Sequence, residues 1–245
     1  MSESETILIT GASTGIGLAL AEQYLARGQH VFALQRSASP LFGSDRYHEE
    51  LADLAQLEAL PQRVAALLAG VTQLDRVVLN AAVGATPRDL ADTPLAEVQR
   101  LMDINTWSNK LILDQLFASG IRIRQVVAIS SGAAVRGSRG WGGYSLSKAA
   151  FAMLIQLYAA ERPETHFCSL MPGIVQTRMQ DDLTNTTADQ RRLYPSLERL
   201  IAARGTPDMP LPGVVAPALL TAFDAALKEP SGSLLDYRNL QHARA

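Results

Sequence analysis

A doubly wound α/β fold, one parallel sheet of about seven strands with helices on both faces, is predicted for this 245-residue chain by three observations. Short apolar segments alternate with amphipathic ones from end to end, the pattern of strands joined by crossover helices. The first such pair, ETILIT and GLALAEQYLARG, flanks a glycine-rich turn, GASTGIG. No proline-rich linker, repeat or low-complexity run divides the chain, so residues 1–245 are read as a single domain, long enough to bury a substantial core.

Strands are predicted near residues 5–10, 30–35, 46–51, 75–80, 123–130, 165–171 and 233–237, and helices near 16–27, 61–69, 95–118, 144–160 and 213–227. The first helix stops near Gly28, and Pro61 suits the first turn of the second. Only SASPLFGSDR, about ten residues, separates the second and third strands, against the dozen or more of a usual parallel crossover. The helix expected there is therefore read as lost or cut to one turn. The third strand, YHEEL, is too polar for a sheet centre and is expected at an edge, where charges are tolerated. Residues 178–212 are polar and proline-containing.

Apolar residues make up 47% of the chain and its formal charge is −2, which gives no reason to expect nucleic acid or an anionic membrane as partner. The segment MSESET is polar and runs straight into the first strand, so no signal peptide or membrane span is read and a soluble, cytoplasmic protein is expected. Cys168 is the only cysteine, which excludes an internal disulfide, and its place in HFCSLM favours a buried, inert thiol. His30, His48, His166 and His242 lack metal-ligand spacing, and no metal is expected.

The chemistry concentrates in SSGAAVRGSRGWGGYSLSK, where Lys148 follows Tyr144 by four residues and Ser131 precedes it by thirteen. Four residues is about one helical turn, so phenol and ammonium share a helix face. A positive charge at ~4 Å in a partly buried site is worth roughly 4 kcal/mol, or about three pKa units, enough to bring a tyrosine from ~10 toward neutrality. By itself such a pair also suits an ordinary amphipathic helix with a packed ring and a solvated ammonium. Gly11, Gly15 and Gly17 follow a strand and open a helix, where backbone amides and the helix dipole favour a pyrophosphate. A purely structural turn would use glycine too.

Taken together, these motifs resemble the short-chain dehydrogenase/reductase family in its short single-domain branch, over nearly the whole chain. Thr10-Gly11-x3-Gly15-x-Gly17 looks like the family's cofactor turn, and Asn80-Ala81-Ala82 like its Asn-Ala-Gly element, with Ala82 in place of glycine. Asn105 in MDINTW matches the helix asparagine, Ser131 the substrate-orienting serine, and Tyr144 with Lys148 the catalytic pair. Pro172-Gly173 and Thr177 in MPGIVQT match the segment that contacts nicotinamide. The ending LLDYRN resembles sepiapterin reductase-like and benzil reductase-like members.

The resemblance implies a Rossmann-type fold and an NAD(P)-dependent oxidoreductase in which Ser131 and Tyr144 polarise a substrate carbonyl and Tyr144 delivers the proton. Lys148 would hold the ribose and lower the phenol pKa, and Asn105, at a break in its helix, would hold a water linking Lys148 to solvent. Cofactor contacts are implied for Gly11, Ser13, Thr14, Gly15, Ile16, Gly17, Arg36, Asp53, Leu54, Asn80, Ala81, Ala82, Tyr144, Lys148, Pro172, Gly173, Val175 and Thr177. Asp53 also reads as a solvated aspartate before a helix. Gln35 occupies the position of the acid that favours NAD and Arg36 follows it, so NADP is expected to be preferred over NAD. Arg136, Arg139 and Trp141 form a loop edge that would suit an anionic substrate group or remain solvated. The resemblance also implies that residues 178–212 form a substrate-loop region, in which Met179 and Leu183 read either as a substrate wall or as core.

A small carbonyl or alcohol is the expected partner, together with a second or further copies of the chain in a homodimer or homotetramer. Leu111, Leu116, Phe151, Leu154 and Leu157 supply apolar surface for that assembly. The competing classes are a non-catalytic dinucleotide-sensing protein, which would not need the intact set Asn105, Ser131, Tyr144 and Lys148, and a sugar-nucleotide epimerase or dehydratase, which usually needs a longer C-terminal region.

Overall fold

The computed structural model describes residues 4–184 and 186–241. Seven strands form one sheet: β1 (Thr6–Thr10), β2 (His30–Gln35), β3 (Tyr47–Leu51), β4 (Gln73–Leu79), β5 (Arg122–Ile129), β6 (His166–Met171) and β7 (Ser233–Asp236). Their order is β3-β2-β1-β4-β5-β6-β7 and every pairing is parallel. The helices are α1 (Gly15–Ala26), α2 (Leu60–Leu67), α3 (Leu95–Met102), α4 (Ser108–Ala118), α5 (Gly142–Glu161), α6 (Arg178–Thr184), α7 (Ala188–Leu193), α8 (Pro195–Ala203), α9 (Pro212–Ala226) and α10 (Tyr237–Gln241).

Both sheet faces are covered, which is why the central strands read as unbroken apolar runs. Ile7 and Ile9 of β1 pack against Leu20 and Tyr24 of α1 and Leu219 and Phe223 of α9. Leu8, between them in sequence, points the other way, into a second core with Ile112 of α4 and Phe151 and Ile155 of α5. Winding reverses between β1 and β4, and parallel pairing puts the carboxyl ends of all strands on one edge. The crevice at that switch point is where an open α/β sheet receives its ligand.

All seven predicted strands are present, and β3 lies at the sheet edge as expected. No helix forms between β2 and β3. The polar residues of YHEEL explain how the shortened crossover holds: the Glu49 carboxylate accepts hydrogen bonds from Gln35 Nε2 (2.7 Å) and the Ser39 amide (3.1 Å), and the Tyr47 hydroxyl donates to Gln35 Oε1 (3.1 Å).

The segment predicted as one helix over 95–118 is divided by a π-turn at Asp103–Trp107, between α3 and α4. Residues 178–212 contain three short helices that periodicity did not reveal. The start signals are there, a capping box between Thr187 and Gln190 and Pro195 in the first turn of α8. Their apolar positions make sense only together: Leu183, Tyr194, Leu197, Leu200 and Met209 form a third core, so Leu183 is a packing residue.

Arg76, within β4, is almost fully buried. It donates to Gln125 Oε1 (2.6 Å), the Tyr24 hydroxyl (2.9 Å) and Asp224 (2.8 Å), tying β4 to β5, α1 and α9. A buried charge needs such a complete set of partners. Cys168 is buried as expected, and desolvation pushes its thiol up to about 12. His242 lies outside the described residues. Among those described, no group of side chains has the makings of a metal site and no helix is long and apolar enough to cross a membrane.

Candidate active site

The site begins at the carboxyl end of β1. Gly11 and Gly15 have φ of 72° and 61°, left-handed values that glycine adopts without strain. Gly17 meets a different constraint: a Cβ there would stand 2.6 Å from Asn80 Nδ2 and closer still to the Gly11 carbonyl oxygen. Asn80, at the end of β4, locks this turn by donating to the carbonyls of Thr10 (3.0 Å) and Gly11 (3.2 Å), while the amides of Asn80 and Ala81 donate to Thr10 Oγ1. The methyl of Ala81 fills the space beside Gly11. Thr14, the residue before α1, makes no side-chain cap, and the first turn of α1 has no acidic residue. Exposed amides at the positive end of a helix, reached across glycines, fit the phosphates of a dinucleotide. The Thr177 side chain lies 3.4 Å from where a Gly15 Cβ would be, so the segment after β6 borders the same turn.

Ser13, Thr14 and Ile16 are at least partly exposed on this turn, as are Ala82 and Gly173 around it, whereas Pro172 and Val175 are buried. Val175 packs into the core shared by α1 and α9. Arg36 is exposed just past β2, and no ion pair involves it among the described residues. The exposed Asp53 accepts the Ala55 amide (3.0 Å) in a turn, and Leu54 is buried.

The second half of the site is carried by the π-turn, β5 and α5. Asn105 is fully buried; its Oδ1 accepts the Val83 amide (2.9 Å), and its Nδ2 donates to the Val83 carbonyl (3.0 Å) and Ser147 Oγ (3.0 Å). Ser147 Oγ in turn donates to the Tyr144 carbonyl (2.8 Å). The extra residue of the π-turn aims this amide sideways, joining the end of β4 to the first turns of α5. Ser147 was not singled out from sequence, although YSLSK places it one turn beyond Tyr144.

Tyr144 and Lys148 are both buried, and Lys148 Nζ donates to the Ile129 carbonyl at the end of β5 (2.9 Å). Ser131 follows that strand end, half-exposed, with Oγ accepting the Ala133 amide (3.1 Å). The competing Ser130 is buried, with an unpartnered hydroxyl. Burial raises the Tyr144 pKa, and a hydrogen bond with Ser131 partly offsets the rise. This corrects the expectation that Lys148 alone brings the phenol toward neutrality: Nζ sits 5.9 Å from the ring centroid and is engaged by a backbone carbonyl, so desolvation outweighs its attraction.

Desolvation also holds Lys148 down at about 8, from an ordinary 10.5. A basic group that loses its proton more readily when folded costs stability below its folded pKa, and that cost vanishes as pH rises to the unfolded value. Lys148→Met is therefore expected to stabilise the ligand-free protein by on the order of 2 kcal/mol at pH 7, while abolishing activity. The gain should fade between about pH 8 and 10.5; thermal melts across that range check it.

The loop after Ser131 is not a free basic edge. Arg139 makes a bidentate pair with Asp89 (2.8 and 2.6 Å) and lies over the Tyr194 ring. Arg136 stays exposed.

The glycine turn after β1 and the buried Tyr144–Lys148 pair of α5 are the two parts of the candidate site. Residues 5–188 match the family model described as short chain dehydrogenase, and the chain belongs to that family of NAD(P)-binding oxidoreductases acting on alcohol or carbonyl groups. It is 30% identical to a benzil reductase ((S)-benzoin forming) of Bacillus subtilis over 233 residues, covering 90% of this chain and 93% of that one. With a benzil reductase ((S)-benzoin forming) of Saccharomyces cerevisiae the identity is 28% over 232 residues, 88% of each. Among solved structures, a short chain dehydrogenase/reductase from Saccharomyces cerevisiae superposes with a TM-score of 0.86 at 24% identity, covering 98% of this chain and 99% of the other, a likeness of fold.

Proposed function

We propose that this protein is a single-domain NADP(H)-preferring reductase of ketones or aldehydes, reversible toward secondary alcohols, with Tyr144 as general acid/base. The observation that carries the reading is the buried Tyr144, with the buried Lys148 one helical turn on, its Nζ 5.9 Å from the phenol ring centroid and held by the Ile129 carbonyl. A bound nicotinamide supplies the hydride. Ser131 and Tyr144 donate hydrogen bonds to the substrate oxygen, stabilising the charge that develops there, and Tyr144 releases its proton to it. Lys148, fixed by the Ile129 carbonyl, would hold the ribose and favour the ionised phenol when Tyr144 must accept a proton in the reverse direction. Asn105 acts as a brace between Val83 and Ser147, and in this reading it would also hold the water that links Lys148 to solvent. Gly11, Ser13, Thr14, Gly15, Ile16 and Gly17 would hold the pyrophosphate. Asp53 and Leu54 would contact the adenine, Asn80, Ala81 and Ala82 would lie beside the cofactor, and Pro172, Gly173, Val175 and Thr177 would contact the nicotinamide side.

Similarity to benzil reductases supports aromatic diketones as first substrates to try. Loss of NADPH absorbance with benzil, and with smaller ketones and aldehydes, tests the reading; a protein that binds NADPH yet reduces none of them would be a sensor instead.

The preference for NADP rests on two neighbouring residues. Gln35, in place of an acid, has its amide engaged by Glu49 and Tyr47, and Arg36 is exposed to pair with a 2′-phosphate. Arg36→Ala is expected to weaken NADPH binding by about 1.5 to 3 kcal/mol and NADH binding little; titration calorimetry with both cofactors decides, and equal losses would remove the assignment.

Assembly follows from what the helices leave uncovered. Leu116, Phe151 and Leu154 are core residues, but Trp107, Leu146, Met153 and Leu157 are each 43–53% exposed. Their exposure supports a homodimer or homotetramer formed through α4 and α5 in the cytoplasm. Light scattering at micromolar concentration should give twice or four times the 26.4 kDa chain mass; a monomer would exclude it.

A further inference from the structure

Helices α6 and α8, with Tyr194 and Met209 on either side of α8, have a small core of their own, separate from the two cores that flank the sheet. Trp141, the residue immediately before α5, packs against this core while its ring meets the Tyr144 ring edge-on, centroids 6.3 Å apart. Its indole Nε1 donates to Ser196 Oγ of α8 at 2.6 Å. The turn carrying it is held on both sides. Arg88 pairs with Trp141 as an isolated bridge and the Arg88 amide donates to the Gly140 carbonyl (3.2 Å), while Arg139 clamps Asp89. Gly140 has φ of 90°, and a Cβ there would stand 2.7 Å from the Tyr194 ring, so the start of α8 sits directly on this turn.

We propose that Trp141 is a positioning residue that registers the α6–α8 segment against Tyr144, through its hydrogen bond to Ser196 on one side and its ring contact on the other. One rigid indole spans the distance between the segment that covers the substrate side and the proton donor. A shift of α8 is then transmitted to the wall beside the Tyr144 hydroxyl rather than absorbed by a flexible loop. The bond sets how tightly a substrate large enough to touch both sides is held, and cofactor binding at the far end of the crevice does not depend on it.

The inference rests on Tyr144 being the proton donor, so the test carries its own control. Trp141→Phe keeps a ring but loses the donor, and Ser196→Ala loses the acceptor. Each should raise KM for benzil, or for the bulkiest carbonyl the wild type reduces, about three- to tenfold, the scale of one hydrogen bond. NADPH affinity should stay within twofold. The double variant should be no worse than either single one, because both remove the same bond, and Ser196→Thr should restore KM. Amide exchange over residues 195–203, which needs no substrate, should quicken in Trp141→Phe although the substitution lies in another element. Unchanged exchange there, additive losses, or KM within twofold of wild type would each overturn the coupling. If Tyr144→Phe stays active, the proposed function fails, whatever the exchange results.

Discussion

Tyr144→Phe is expected to lower turnover by about 10² to 10⁴-fold, the usual contribution of a general acid, while leaving the fold and most cofactor affinity intact. The phenyl ring would still fill the space against Trp141, so only the hydroxyl is removed. Burial raises the phenol pKa and keeps it protonated at neutral pH, the form needed to reduce a carbonyl. Alcohol oxidation needs the opposite form. With wild-type enzyme, oxidation should therefore accelerate as pH rises and reduction should not. Steady-state rates on a verified substrate, with circular dichroism to confirm folding, provide the check. Wild-type activity in Tyr144→Phe would refute the mechanism.

Gly17→Ala should be the most damaging single-methyl addition in the cofactor half. The new Cβ would press on the Gly11 carbonyl, which is backbone, and on Asn80 Nδ2, a side-chain end held in place by its bonds to the Thr10 and Gly11 carbonyls. Overpacking of this kind costs about 3 kcal/mol, which for a chain of this size corresponds to a drop of about 6 to 12 °C in Tm. NADPH affinity should fall with it, since relief of the clash means moving the backbone that faces the phosphates. A thermal melt and a binding titration on the same sample test both parts; a Tm and Kd matching wild type would show that the turn yields more easily than its geometry implies. Gly28→Ala serves as a contrast, because a Cβ there meets nothing within 4 Å and only its φ of 77° is strained.

The frame was legible from sequence because its signals are local. Apolar runs of strand length, a glycine turn between strand and helix, and a Tyr-Lys pair four residues apart need no knowledge of what packs where. The edge position of β3 was readable for the same reason, since its own residues are too polar for a centre. The helices of residues 178–212 were not. Their apolar positions are few per helix and spread over three elements, so each segment looks polar until Tyr194, Leu197 and Leu200 are brought onto Leu183 and Met209. The pKa argument failed for a related reason: spacing puts Lys148 near Tyr144, but only burial and the Ile129 carbonyl decide how much of its charge the phenol feels.

By itself, then, the sequence determined the class of fold, the order of its elements and the residue types of the crevice, because periodicity and turn chemistry act within a few residues. Tertiary structure alone decided which of those residues are free to act. It left Ser131 half-exposed and buried Ser130, committed Gln35 to Glu49 and Tyr47, drew Arg139 out of the anion-binding role into a pair with Asp89, and buried Arg76 among Tyr24, Gln125 and Asp224. The hydrogen-bonded pairs among those outcomes join residues 12 to 148 apart, where hydrogen-bond geometry and desolvation depend on the packed arrangement and cannot be read from neighbours along the chain.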